Sequence, residues 1–154
     1  MIIRSAILND TDRIAELYQQ LFLLMADYQP DRWRPAEQDR GFIENAVTDE
    51  KFCLLVAETE GHIAGFAFAQ TQDTSPYTCV VPRRFGYIFD IVVDPAVRGQ
   101  GTGKKLLDAV KDWSKAQGHT HLELSVLPEN TGAMRLYERE GYQPVIHTLA
   151  IKHG

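Results

Sequence analysis

One stretch decides the fold of this chain: Asp90-Ile91-Val92-Val93-Asp94-Pro95-Ala96-Val97-Arg98-Gly99-Gln100-Gly101-Thr102-Gly103-Lys104. Its apolar, β-branched start predicts a strand, Asp-Pro interrupts that strand, and an amphipathic helical pattern follows the glycines. Glycines at alternate positions leave backbone N–H groups uncovered by side chains. The first N–H groups of a helix also lack intrahelical partners and lie at the positive end of its dipole. We therefore predict an anion cradle for a phosphate or pyrophosphate, against the alternative of a tight turn without a ligand.

The spacing of the loop excludes two common phosphate-binding motifs. A Walker-type loop would need a glycine at Arg98 and a hydroxyl residue at Lys105. The dinucleotide fingerprint would need a third glycine at Lys104. The pattern that does fit is Arg-x-x-Gly-x-Gly, formed by Arg98, Gly101 and Gly103. It resembles the pyrophosphate loop that binds acyl-CoA in GNAT-type N-acetyltransferases.

The composition predicts one soluble globular domain over residues 1–154, with 44% hydrophobic and 24% charged residues. No apolar run approaches the roughly 20 residues that a membrane helix needs, and the N-terminus lacks a signal-peptide pattern. Two cysteines, Cys53 and Cys79, suggest neither a disulfide framework nor a zinc site, so we expect a cytoplasmic protein without a metal. The net charge of −5 disfavours a nucleic-acid-binding surface.

The first half of the chain predicts two helices and three strands. In order, we expect an edge strand at Ile2–Ile7, a helix capped by Asn9 with an apolar stripe from Ile14 to Tyr28, a helix at Ala36–Val47, and strands at Phe52–Glu58 and Ile63–Gln70 joined by a Glu60-Gly61 turn. The proline-rich segment Gln29–Pro35 between the helices must be a loop. It is either a linker with a packed Trp33 or one wall of a substrate cleft.

The second half predicts a βαβ unit. The strand Phe85–Val93 is apolar on both faces except for Asp90, which is either paired for structure or functional. A helix ending at Gly118 and a strand at His121–Val126 follow, so the two strands should be parallel neighbours. A helix from Asn130 to Gly141 and a last strand at Thr148–Lys152 complete the chain.

A second signature strengthens the resemblance to the GNAT family. The pattern Asn-x-x-Ala-x-x-x-Tyr-x-x-x-Gly-aromatic is matched by Asn130, Ala133, Tyr137, Gly141 and Tyr142. It lies one helix and one strand after the glycine loop, and the order of predicted elements resembles the family over nearly the whole chain. The resemblance implies an α/β fold with a mixed sheet of six to seven strands and four helices. It also implies that the two parallel strands splay apart at one end.

The resemblance further implies transfer of the acetyl group from acetyl-CoA to a primary amine, by direct attack while both are bound. Acetyl-CoA would be held by the strand end and the loop: Ile91, Val92, Val93, Arg98, Gly99, Gln100, Gly101, Thr102, Gly103, Lys104 and Asn130. Asn130 is equally explained as a helix cap. Arg135, Arg139 and Lys105 are either contacts for the 3′-phosphate or surface charges. Tyr137 would protonate the leaving thiolate, since a phenol with a pKa of about 10 keeps its proton at neutral pH.

The general base is open. Many family members carry a glutamate where this chain has Phe89, and Asp90 stands next to it. Neighbouring strand residues point to opposite faces, so Asp90 can substitute only if a bulge turns it inward. Deprotonating an alkyl amine of pKa about 10.4 at pH 7 costs about 4.6 kcal/mol, so some group must assist.

The acceptor is open as well. Tyr28, Trp33 and Phe89 are candidates to contact it, and it is a small-molecule or peptide amine rather than nucleic acid or membrane. A homodimer is a possible assembly. The alternative to an enzyme is a degenerate GNAT-like domain that senses acyl-CoA without turnover.

Overall fold

The computed structural model describes all residues from Met1 to Gly154. Its helices and strands follow in the order β1 (Ile2–Ser5), α1 (Thr11–Tyr28), α2 (Arg40–Thr48), β2 (Phe52–Thr59), β3 (His62–Asp73), β4 (Arg84–Val93), α3 (Thr102–Ala116), β5 (His121–Leu124) and α4 (Thr131–Arg139). Short 3₁₀ turns at Leu8–Asp10 and Pro95–Val97 precede α1 and the glycine loop. None of the helices combines the length and apolar character needed to cross a membrane.

The five strands form one mixed sheet in the order β1-β2-β3-β4-β5. The first three pairings are antiparallel and the β4–β5 pairing is parallel, which confirms the predicted βαβ unit. The sheet has five strands rather than the expected six to seven. Helices α1 and α2 pack on one face, and α3 and α4 pack on the other.

The alternation of side chains along β3 explains the two layers. Phe66 and Phe68 point to the α1/α2 face, where they join a core that includes Tyr18. Ala67 and Ala69 point to the α3/α4 face. Because a strand places successive side chains on opposite faces, large rings fill one layer while small side chains let α3 lie close to the sheet.

The pairing of the parallel strands β4 and β5 stops before β4 ends, because β5 ends at Leu124 rather than at the predicted Val126. Their pairing runs from Phe85–His121 to Ile88–Leu124 and then stops, whereas β4 continues to Val93. The stretch Phe89–Val93 therefore has a strand neighbour only on its β3 side. We call the space beside it the β4–β5 gap.

The predicted last strand at Thr148–Lys152 is wrong. Residues Gln143 to Gly154 form neither helix nor strand. A strand is stable only when its backbone groups pair with a neighbour, and this segment has none within the chain. Sequence composition identified a segment able to form a strand but not the edge that it would need.

Two predicted helix starts also need correction. The second helix begins at Arg40 rather than Ala36, because the Asp39 carboxylate accepts a hydrogen bond from Gly41 N at 3.3 Å and caps it there. Asn9 does not cap α1 but lies in the preceding 3₁₀ turn. The Asp10 carboxylate instead accepts from Ile7 N at 2.9 Å and pairs with Arg4 at 2.8 Å.

Candidate active site

The glycine loop presents a run of unpaired backbone donors. None of the six N–H groups from Gly99 to Lys104 donates to an acceptor in the protein, and the first backbone bond of α3 joins Lys105 N to Gly101 O at 3.1 Å. Gly101 stands before the helix in the left-handed conformation, with φ of 75°. These donors and the positive end of the α3 dipole favour an anion at this position.

Two different constraints explain why glycine occupies these positions of the loop: backbone conformation and close packing. Gly99 and Gly101 have φ of 84° and 75°, which L side chains rarely adopt. Gly103 is helical, and a Cβ there would lie 3.2 Å from Leu136 Cδ2, so its role is to let α3 pack against α4. The prediction treated all three glycines as sources of exposed N–H groups, whereas the structure gives Gly103 a packing role as well.

Thr102 carries an orphaned polar atom. Its side chain is buried, and Oγ1 is the one enclosed side-chain oxygen or nitrogen without a hydrogen-bond partner. A buried hydroxyl without a partner is uncommon in folded proteins and calls for an explanation. Its place at the first residue of α3 puts it beside the unpaired N–H groups.

Several cations near the loop form no salt bridge. Arg98, Lys105, Arg135 and Arg139 are exposed and form no salt bridge, whereas Lys104 Nζ lies 2.8 Å from Asp108 and 3.5 Å from Glu140. The ammonium group of Lys104 is thus already compensated, and its backbone N–H is the group available to a ligand.

The open edge of β4 lies next to the loop. Val92 is buried on the α1/α2 face, while Ile91 and Val93 pack with the α3/α4 layer. Side chains thus occupy both faces, and only the backbone of these residues is presented to the β4–β5 gap. An extended ligand could pair with that edge as an added strand.

A β-bulge is present in β4 at Phe89, and a bulge is what Asp90 needs in order to point inward in place of the usual glutamate. Phe68 of β3 stands opposite Asp90 and Ala69 stands opposite Ile88, so Phe89 is the extra residue. Because of this bulge, Phe89 and Asp90 both lie on the α1/α2 side, where Phe89 contacts the ring of Phe68 and Asp90 contacts α1.

Asp90 is paired through one oxygen only. Tyr18 of α1 donates its hydroxyl to Asp90 Oδ2 at 2.7 Å, and Oδ1 has no partner in the protein and is not enclosed. Burial raises the pKa of the Asp90 carboxyl, and the Tyr18 hydrogen bond opposes that rise. Burial and the Asp90 charge raise the pKa of Tyr18, so its phenol keeps its proton. The pair therefore leaves one carboxylate oxygen facing outward.

Aromatic rings lie on the same side of the sheet as Asp90. The Phe89 ring lies 5.5 Å from that of Phe68 and 5.0 Å from that of Tyr87, and the Phe42 ring lies 5.4 Å from Phe68. Phe42 and Phe89 remain 40% and 43% exposed. The half-exposed rings offer an apolar wall to a ligand.

Tyr137 lies on the other side of the sheet. It is 7% exposed in the α3/α4 core, and its ring centroid is 5.9 Å from that of Tyr142. Burial, followed by the neighbouring Tyr142, raises its pKa to about 12. Its hydroxyl has no partner in the protein and is not enclosed. Tyr137 and Asp90 thus belong to opposite faces of the sheet.

The remaining predicted residues have more ordinary surroundings. Asn130 Oδ1 accepts from Ala133 N at 3.2 Å, so it caps α4. Tyr28 is half-buried at the end of α1, and Trp33 is 40% exposed in the α1–α2 loop without an aromatic partner. Gln29 Nε2 bonds both carboxylate oxygens of Glu129, at 2.8 and 3.0 Å, which ties that loop to the β5–α4 loop.

Sequence reasoning missed Tyr18 and the side chain of Thr102. Tyr18 was assigned to the core stripe of α1, although a lone acid in a covered strand needs a donor and Tyr18 is a hydroxyl on the inward face of that helix. Thr102 was included for its backbone alone. A cavity of about 510 Å³ lined by Ile3, Phe52 and Trp113 lies at the β1 side of the sheet, away from all of these residues.

A family model and a curated relative both match nearly the whole chain. The Acetyltransferase (GNAT) family matches residues 15–142. The uncharacterized N-acetyltransferase YhfO of Bacillus subtilis (strain 168) is 31% identical over 146 residues, which cover 93% of this chain and 90% of that protein.

Solved structures show the same fold. The tetramutant of the BH1408 protein from Bacillus halodurans superposes with a TM-score of 0.92 at 27% identity, covering 99% of this chain and 100% of that one. The aminoglycoside N-acetyltransferase AAC(6′)-Iy, solved in complex with CoA, superposes with a TM-score of 0.75 at 19% identity, with 99% of each chain covered.

Proposed function

Because this chain belongs to the GNAT acetyltransferase family, we propose that it is an acetyl-CoA-dependent N-acetyltransferase that acetylates a primary amine by direct attack. The observation that carries the proposal is the run of six unpaired N–H groups, Gly99 to Lys104, beside the unpaired edge of β4. A phosphate group and an extended amide-bearing arm would satisfy both features together.

The chain's residues fit acetyl-CoA at three points. The N–H groups of Gly99 to Lys104 would hold the pyrophosphate, with the Thr102 hydroxyl as a further donor. The backbone of Ile91–Val93 would pair with the pantetheine arm. Arg98, Lys105, Arg135 and Arg139 are candidates for the 3′-phosphate, since they are exposed and form no salt bridge. Asn130 would add at most its free amide group, because its oxygen already caps α4.

Tyr137 would supply the proton that the leaving group needs. As the amine nitrogen forms its bond to the thioester carbon, the carbon–sulfur bond breaks and the thiolate takes the phenolic proton. A pKa of about 12 keeps that proton in place throughout the neutral range, and the free hydroxyl can donate through the gap.

Asp90 would assist the amine on the opposite face. Its free Oδ1 can accept a proton from the attacking ammonium directly or through a water, and a raised pKa makes the carboxylate a stronger base. Phe89 would pack against the apolar part of the acceptor rather than take the proton itself. Tyr28 and Trp33, at the α1–α2 loop, would contact more distant parts of a small-molecule or peptide amine.

A thiol-release assay with acetyl-CoA and a panel of amines tests the proposal, together with calorimetric titration of CoA and of ATP. We expect CoA to bind and thiol release to require an amine. CoA binding without turnover on any amine would favour the sensor alternative. Binding of ATP in preference to CoA would overturn the assignment of the cradle.

A further inference from the structure

Two phenylalanine rings on the α1/α2 side of the sheet are left half-exposed. Phe89, on the bulge of β4, is 43% exposed, and Phe42, on α2, is 40% exposed. Both rings contact Phe68 of β3, with centroid distances of 5.5 Å for Phe89 and 5.4 Å for Phe42. Because Phe68 is buried between them, the two rings form one apolar surface, which we call the Phe42–Phe89 wall.

The wall and the Asp90 carboxylate share their neighbours. Phe68 stands directly opposite Asp90 in the β3–β4 register, and Phe89 precedes Asp90 in the chain. On the helix side, the ring of Tyr18 lies 6.4 Å from that of Phe42, and the Tyr18 hydroxyl donates to Asp90 Oδ2 at 2.7 Å. The free Oδ1 of Asp90 and the two half-exposed rings therefore belong to one neighbourhood.

Asp90 is the one acid of strands β3 to β5 without a salt bridge. Asp73, at the end of β3, pairs with Arg84 at 2.9 Å, and Glu123 of β5 pairs with Arg83 at 2.7 Å. Asp90 is held only by the hydroxyl of a tyrosine on α1. These strands therefore offer one carboxylate without a cationic partner, together with a large apolar surface.

We propose that the acceptor is a monoamine whose amino group is joined by a short chain to an aromatic or bulky apolar group. This inference rests on the proposed acetyltransferase function and narrows its acceptor. The ammonium group would pair with Asp90, and the apolar group would cover the exposed parts of Phe42 and Phe89. Removing that surface from water stabilises the complex, and an aromatic group could also stack against the rings.

An acceptor with several ammonium groups fits this arrangement poorly. Its second charge would find no further unpaired carboxylate on these strands, and it would lie against the apolar wall. Charged groups lose hydration at such a surface without gaining a partner. The chemistry of the wall therefore favours one charge and one apolar body.

Matched amines test the inference in the thiol-release assay. We expect kcat/KM for phenethylamine to exceed that for n-butylamine at least about tenfold, because the added ring is buried against the wall. Putrescine, the diamine with the same chain as n-butylamine, should show no comparable gain. A preference for putrescine over phenethylamine would overturn the inference and leave the acetyltransferase function in place. Absence of thiol release with every amine would overturn that function itself.

Variants of the wall separate its effect from the intrinsic reactivity of the amines, which is the same for every variant. Phe89→Ala should lower the ratio of kcat/KM for phenethylamine to that for n-butylamine at least about fivefold, and Phe42→Ala should lower it as well. Remaining turnover of n-butylamine shows that each variant is folded.

Tyr77→Ala is the matched control for the wall. Tyr77 is also an exposed aromatic residue, at 73%, but it lies in the β3–β4 connection. It should keep the wild-type ratio. A wild-type ratio in both Phe89→Ala and Phe42→Ala, or an equal fall in Tyr77→Ala, would overturn the assignment of the wall to the acceptor.

Discussion

At the scale of single residues, Tyr137 and Tyr142 form a natural comparison. Burial raises the pKa of each to about 12, and their rings lie 5.9 Å apart in the same layer. Only Tyr137 occupies the tyrosine position of the second signature. Comparing variants of the two residues therefore distinguishes the loss of the catalytic proton donor from the loss of any buried phenol hydroxyl.

We expect Tyr137→Phe to lower kcat roughly 10²–10⁴-fold, because the ring and its packing remain while the proton for the leaving thiolate is lost. Acetyl-CoA affinity should change little, since the loss falls on the leaving-group step. Thiol release and calorimetry measure the two quantities. Tyr142→Phe is the control and should retain turnover; near-normal turnover of Tyr137→Phe would return that residue to a packing role.

A second residue-scale prediction concerns Tyr18. Its hydrogen bond lowers the pKa of Asp90, so Tyr18→Phe should raise that pKa. If Asp90 acts as the base, a higher pKa reduces its deprotonated fraction at acidic pH, and the acid limb of the kcat/KM profile should move to higher pH. Tyr87→Phe is the control, because the Tyr87 hydroxyl bonds Ser125 rather than Asp90. If the acid limb of the kcat/KM profile does not move in Tyr18→Phe, or if Asp90→Asn keeps the wild-type rate, Asp90 is not the general base.

At the scale of elements, α3 begins and ends with glycines that offer a matched pair. Gly101 precedes the helix with φ of 75°, Gly118 follows it with φ of 78°, and an added Cβ would meet no atom within 4 Å at either position. Their conformational strain is thus nearly the same, whereas only Gly101 lies in the anion cradle.

We expect Gly101→Ala and Gly118→Ala each to lower the unfolding free energy by about 1–2 kcal/mol, the energy of a left-handed L-residue. Only Gly101→Ala should also weaken CoA binding, because its methyl group and any relaxation of the loop disturb the unpaired N–H groups. Urea unfolding and calorimetry measure both effects. Equal CoA affinity in the two variants would contradict the cradle.

At the scale of the whole molecule, His119 joins the α3 layer to the sheet. Its ring lies 2.9 Å from Thr71 Oγ1 of β3 and 3.0 Å from Ser114 Oγ of α3, and it packs edge-on against Trp113. Burial, with a smaller effect from Arg84, lowers the pKa of His119. His119 therefore binds a proton less readily in the folded protein than in the unfolded chain.

The sign of the resulting pH dependence follows from linkage. The unfolded histidine gains its proton below about pH 6.5, so the contribution of His119 is complete above that value and decreases as the pH falls through it. We expect the unfolding free energy to fall more steeply between about pH 7.5 and pH 5.5 in the wild type than in His119→Gln. Urea unfolding at several pH values measures this slope. His62→Gln, at the exposed first residue of β3, should keep the wild-type slope; a wild-type slope in His119→Gln as well would show that other groups carry the dependence.

Local chemistry determined much of this protein. The apolar run before Asp94 forms β4, the glycines bring unpaired N–H groups to the start of α3, and Asn130 begins α4, because each of these depends on residues close in sequence. The parallel pairing of β4 and β5 also follows from sequence, since a strand–helix–strand unit has one favoured handedness.

The tertiary structure alone decided the register and the partners. The bulge at Phe89, which turns Asp90 toward α1, depends on how β4 aligns with β3, and the Tyr18–Asp90 bond joins residues 72 positions apart. The packing role of Gly103 depends on the contact between α3 and α4, which joins residues distant in sequence. The segment Thr148–Lys152 has the composition of a strand but forms none, because strand formation requires a neighbouring edge as well as a suitable sequence.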